Sequence, residues 1–153
     1  MTEPATNSKA ALIAELNGLL ADHFALFIKT KHFHWHVKGP RFRDLHLLFD
    51  EQALEIRDQI DLIAERVRKL DAHTLTSLGA MARHTNVKDQ DKVALSAEDM
   101  IAELRDDNAA LIAKLKAMKS LAEQVGDNAT EGLLDGWTDM AEQRVWFLTS
   151  LLA

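Results

Sequence analysis

The chain has 153 residues and 47% hydrophobic content, which suits one domain whose core needs no covalent staples. It contains no cysteine, which excludes a disulfide frame and thiolate metal chemistry. Its 18 Lys and Arg against 24 Asp and Glu leave a net charge of −6, a balance that repels nucleic acid at long range and attracts cations. The opening MTEPATNSKA lacks the basic, apolar, small-residue layout of a secretory signal, and no uninterrupted apolar run approaches a membrane span. A soluble cytoplasmic protein with no membrane partner is the expectation.

In chain order, residues 1–7 read as a short mobile polar lead, ahead of a single domain over residues 8–153. Asn7 or Ser8 is placed to cap a first helix running to about His36. Leu12, Leu16, Leu19, Leu20, Phe24, Phe27 and Ile28 recur along it at helical spacing. Val37-Lys38-Gly39-Pro40 supplies the turn, with Gly39 as C-cap and Pro40 near the first turn of the next helix. Residues 42–70 contain no Gly or Pro and predict one long second helix. The stretch 71–95 is too long for a turn and too polar for a full helix, and LTSLGAMAR at 75–83 predicts a short helix inside it. Ser96 with Asp99 makes a capping box that opens a helix over about 97–125. Gly126-Asp127-Asn128 breaks it, and a last helix covers about 129–152. Four long helices with short first and third connections and one long middle crossover describe an all-α, ferritin-like four-helix bundle with a short extra helix in the crossover.

The chemistry is concentrated between residues 34 and 65. His34, His46, Asp50, Asp61 and Glu65 are residue types that ligate iron and other divalent metals. Taking His46 as zero, the four on the second helix fall at about 0°, 40°, 60° and 100°, so they share a face. His46 and Asp61 nevertheless stand ~22 Å apart along the axis. Metal–ligand bonds span only ~2.0–2.6 Å, so one copy of the helix cannot bring both ends to one ion. Two antiparallel copies can: about a two-fold axis, the His46–Asp50 end of one chain meets the Asp61–Glu65 end of its partner, giving two equivalent shared sites. Leu45, Phe49, Ile56, Ile60, Ile63, Val67 and Leu70 form an apolar stripe well away from this polar one. The ligand stripe therefore does not face the chain's own core, unlike the inward Glu and Glu-x-x-His sets of di-iron bundles.

His34-Trp35, eleven residues to His46, then Asp50, then Asp61 and Glu65 within Ala64-Glu65-Arg66, resembles the Dps family of mini-ferritins. The likeness extends to Gly39, to Trp146-Phe147-Leu148 and to the element order. It implies that the five residues are ferroxidase ligands, with His34, His46 and Asp50 from one subunit and Asp61 and Glu65 from its two-fold mate. It further implies a homo-oligomer of twelve subunits, a dodecamer. This shell would oxidise Fe(II) with hydrogen peroxide, or with dioxygen as the other oxidant, store ferric iron inside, and so protect DNA under oxidative stress. Trp35 would lie near the iron, where an oxidisable ring can quench stray electrons.

Other residues carry two readings. Asp127, Glu131 and Asp135 recur every four residues over the last helix's first turns, either complementing the helix dipole or, by the resemblance, lining an entry pore. His32 and His36 are also four apart, either a second metal pair or imidazoles suited to a helix C-terminus. The family often has Asn at the position of His36, which argues against an essential ligand there. His23, His73 and His84 read as surface or packing residues, and Trp137 and Trp146 as packing residues. The rival function is an architectural DNA-binding protein of the nucleoid. In the family that role relies on a Lys/Arg-rich mobile tail, whereas residues 1–10 here hold one Lys and one Glu. Weak DNA binding is therefore the expectation.

Overall fold

A computed structural model describes residues 3–153, with side chains from Ser8 onward. The described residues form five helices: α1 (Glu3–His36), α2 (Phe42–Lys69), α3 (Leu78–His84), α4 (Ala97–Val125) and α5 (Asn128–Leu152). Helix α1 already runs upstream of Asn7 and Ser8, so neither is the cap that the sequence suggested. The expected lead at 1–7 otherwise falls outside the described side chains.

Local chemistry sets the other boundaries. Gly39 takes φ +113° in the α1–α2 turn, where its carbonyl accepts from Phe42 N at 3.0 Å. Ser77 and Ser96 cap α3 and α4, their hydroxyls accepting from Ala80 N and Asp99 N, each at 3.1 Å. Gly126 closes α4 in the left-handed region at φ 75°, and Asp127 immediately caps α5. Asp71 enters the crossover at φ 62°, unusual for a residue with a side chain.

Helix α1 packs along α2 and α4 along α5, with α1 also against α4 and α3 and α2 against α5. The bundle core comprises Leu12, Leu16, Leu19, Leu20, Leu26 and Phe33 of α1 and Leu45, Phe49, Ile56, Ile63 and Val67 of α2. It is completed by Met100, Leu104, Leu115 and Met118 of α4 and Leu134, Trp137 and Leu148 of α5. Two sequence expectations are corrected here. Ile28 is 53% exposed, because it points to the far side of α1 from the leucines. Trp146 is 64% exposed, with its ring against Phe147 at a centroid distance of 5.0 Å, so it is not a core residue of this chain. The segment Ser8–His36 is, by length and composition, apolar enough to cross a membrane, although Lys9, Glu15, Asp22, Lys29 and Lys31 interrupt it. Its leucines are instead buried in the bundle.

The core also carries a polar layer. His23, Gln52, Gln59, Asn108 and Arg144 are all buried. Arg144 donates through Nε to Asn108 Oδ1 at 2.8 Å and through Nη1 to Glu55, tying α5 to α4 and α2. His23 places Nδ1 2.9 Å from Leu19 O and Nε2 2.8 Å from Gln59 Oε1. Burial lowers the His23 pKa to about 4, so the ring is neutral at pH 7.

Candidate metal centre

The C-terminal end of α1 lies against the N-terminal end of α2, and this junction presents the three residues His34, His46 and Asp50. The two imidazoles hold each other's backbone. His34 donates Nδ1–H to His46 O at 2.6 Å, and His46 donates Nδ1–H to His34 O at 2.7 Å. A carbonyl can only accept, so both rings carry the proton on Nδ1 and leave a lone pair on Nε2. The rings stack at 3.9 Å with a 15° interplanar angle, and Phe42 stacks on the other face of His46 at 5.1 Å. Both ring planes are thereby fixed. The free Nε2 of His34 lies 3.7 Å from Asp50 Oδ1.

Asp50 is not free in this state. Lys31 Nζ donates to its Oδ1 at 2.5 Å, and this bond holds the Asp50 carboxyl below its ordinary pKa. An ammonium thus supplies the positive charge that the carboxylate would otherwise seek from a metal. Sequence reading missed Lys31, although it stands one helical turn before His34.

Asp61 and Glu65 lie far along α2, both exposed. The groove beside Asp61 is about 410 Å³ in volume and mostly apolar, lined by Leu20, Phe24, Ile60, Leu75, Leu78 and Met81 among others. Among the described residues no three His, Asp or Glu side chains of the single chain converge to hold a metal. The chain therefore sets His34, His46 and Asp50 side by side and keeps Asp61 and Glu65 apart from them. The donor set still fits iron, because two imidazole nitrogens are preset with free lone pairs next to a carboxylate oxygen.

The acidic line on α5 separates into different environments. Asp127 is the α5 cap, accepting from Thr130 N at 3.1 Å and pairing with Arg66 at 2.9 Å, with its side chain 8% exposed. Burial raises its carboxyl pKa, but the bonds from Thr130 and the Arg66 charge outweigh this and hold it low. Glu131 is half-buried, and the exposed Asp135 pairs with Lys119 at 2.8 Å. Trp35, 62% exposed, lines a cleft beside His32 and His36.

Comparison with known proteins agrees with this architecture. A family model described as a ferritin-like domain matches residues 13–153, which defines the class of protein. The DNA protection during starvation protein of Brevibacillus brevis is 32% identical, over 90% of this chain and 91% of its own length. The X-ray structure of Dps from Thermosynechococcus elongatus superposes with a TM-score of 0.95 at 29% identity, covering 98% of this chain and 95% of that one. Dps from Vibrio cholerae O1, described as a member of a broad superfamily of ferritin-like diiron-carboxylate proteins, superposes with a TM-score of 0.91. It is 26% identical, covering 97% of this chain and 92% of its own. The chain belongs to the Dps family.

Proposed function

We propose that this protein stores iron and protects DNA by oxidising Fe(II) at sites shared between two copies of the chain. Fe(II) is the substrate. His34, His46 and Asp50 of one chain would bind it together with Asp61 and Glu65 of a two-fold related copy. The observation that carries the reading is the mutual locking of His34 and His46, which presents two Nε2 lone pairs beside Asp50. An incomplete set in one chain is what a site on a subunit boundary requires.

Each residue type has a task. Imidazole nitrogen retains Fe(II), while carboxylate oxygen, the harder donor, favours Fe(III) and so assists the loss of an electron. Entry of a dication displaces the Lys31 ammonium from Asp50, exchanging one positive partner for another with little change in local charge. With hydrogen peroxide as oxidant, two Fe(II) ions each give one electron, the O–O bond breaks and two hydroxides form. Pairing the two electrons at one place avoids release of a hydroxyl radical, so DNA is spared without being touched. The ferric product would collect inside a closed shell of twelve chains, in the cytoplasm. The acidic residues Glu131 and Asp135 would favour cation entry, with Asp127 fixed as the cap beside them.

Direct architectural DNA binding is the lesser reading, since the net charge of −6 disfavours contact with phosphates. The test is stopped-flow Fe(II) oxidation with peroxide, combined with light-scattering mass measurement, on wild type and His46→Ala. A twelve-chain particle that oxidises Fe(II), and loses most of that rate in the variant at unchanged mass, is the expected result. An equal rate in His46→Ala would overturn the assignment.

A further inference from the structure

His32 and His36 flank His34 on α1 but point elsewhere. At 100° per residue each lies about 160° from His34 around the helix and about 40° from the other, so the pair faces away from the candidate iron ligands. They face a cleft of about 300 Å³ between α1 and the crossover, whose lining includes Trp35, Asp89, Gln90 and Asp91. Nothing in the proposed iron chemistry uses this cleft.

The geometry of the pair is specific. His32 Nδ1 and His36 Nδ1 are 2.9 Å apart. Two nitrogens bound to one ion at ~2.0–2.1 Å are separated by about 2.9 Å when they subtend a right angle and by about 3.3 Å when they subtend a tetrahedral one. The observed separation is that of two cis ligands in a tetragonal or octahedral shell. His32 is also already oriented as a metal ligand. Its Nε2 lies 3.1 Å from Lys92 O, which can only accept, so Nε2 carries the proton and the Nδ1 lone pair points at His36. The backbone carbonyl of the crossover thus acts as the outer partner that metal-binding imidazoles require. His36 now bridges with its Nδ1–H, shared between His32 Nδ1 and His32 O at 2.9 Å.

We infer that His32 and His36 form a second metal site, a tetragonal nitrogen–oxygen site for Cu(II), on the crossover side of α1 and separate from the iron ligands. Imidazole nitrogen with oxygen donors in tetragonal geometry suits Cu(II) or Ni(II), and Cu(II) binds more tightly in the usual order of divalent affinity. Binding needs one rearrangement. The His36 proton moves from Nδ1 to Nε2, and the metal takes the place of the hydrogen bond between the two nitrogens, with no net loss of a proton. Among the described residues no third ligand yet converges on the pair. The remaining positions fall to water and to Asp89 or Asp91, whose carboxylates lie along the cleft and offset the ion's charge. This site goes beyond the proposed iron oxidation and does not depend on it.

The test uses the assembled full-length protein, with Cu(II) as the probe. Equilibrium dialysis and electron paramagnetic resonance would be run on wild type, His36→Asn, His32→Gln and His46→Ala. The wild type and His46→Ala should both show a copper signal with two coupled nitrogens. His36→Asn and His32→Gln should each weaken that site at least about tenfold, since losing a direct ligand costs no less than losing an outer partner. Peroxide-driven Fe(II) oxidation should stay unchanged in both, which separates this outcome from any failure at the iron site. Copper binding that is identical in wild type, His36→Asn and His32→Gln overturns the site, as does a signal that disappears only in His46→Ala. An absence of copper binding by the wild type overturns it equally, with no variant needed.

Discussion

The proposed sharing of the iron site between two chains makes a quantitative prediction about mixtures. Asp61→Asn damages the half-site that a chain lends to its partner, and His46→Ala damages the half-site that it keeps. In a dimer of one chain of each kind, one site collects both lesions and the other collects none. If the two variants are unfolded, mixed in equal amounts and reassembled at random, half of the dimers are mixed, and each mixed dimer has one sound site out of two. About a quarter of all sites are then intact, so oxidation should recover to roughly a quarter of the wild-type rate. Each variant alone should be nearly inactive, because both Asp61 and the locked His46 are direct ligands in this arrangement. The assay is initial Fe(II) oxidation at fixed total chain, with mass measured to confirm reassembly. A mixture no faster than the mean of its parents would refute the sharing and place the working site within one chain.

Four further outcomes are expected. Asp127→Ala should cost about 1–2 kcal/mol by denaturant unfolding, because it removes the α5 cap and leaves Arg66 without its partner. Glu131→Gln with Asp135→Asn should instead leave stability nearly unchanged and slow iron uptake at low salt only, whereas slowing at both low and high salt would contradict an electrostatic role. His23 should impose a pH dependence on stability. Its pKa falls from 6.5 to about 4 on folding, so its contribution is fully present above pH 6.5 and is lost as pH falls towards 4. His23→Gln should flatten that part of the profile, measured by denaturant midpoints at pH 7 and pH 5. Duplex DNA should show no mobility shift at neutral pH and near-physiological salt with a chelator present, and a clear shift would restore the DNA-binding reading.

The fold was largely legible because its boundaries rest on local chemistry. Ser96 with Asp99, Gly126, and Gly39 followed by Pro40 each act within a few residues of themselves, so their effect is visible in the sequence. The apolar stripe of α2 was visible for the same reason, with Ile60 and Leu70 only partly buried at its margin. Long-range polar pairing was not visible. Gln52, Gln59, Asn108 and Arg144 are polar residues on or beside the apolar faces of their helices, and only the packed bundle shows that Gln59 meets His23 and that Arg144 donates to Asn108. Lys31 was missed similarly, since its partner Asp50 belongs to the next helix. The five candidate ligands were identified by type and spacing, but the locking of His34 to His46 by reciprocal backbone bonds required the two helix ends to be placed together.

Arg144 bears on how such bundles can change over time. Its guanidinium is only 2% exposed and occupies the middle of the helix packing, where other ferritin-like proteins direct carboxylates inward. A permanent cation there repels any metal ion that would enter the bundle interior, even though Glu55 offsets part of its charge. An interior metal site would first require losing Arg144, which would leave Glu55 and Asn108 without this partner. The packing around Arg144 therefore opposes a metal site in the bundle interior. A laboratory redesign towards an interior site should replace Arg144, Glu55 and Asn108 together, since the three are bonded to one another through Arg144.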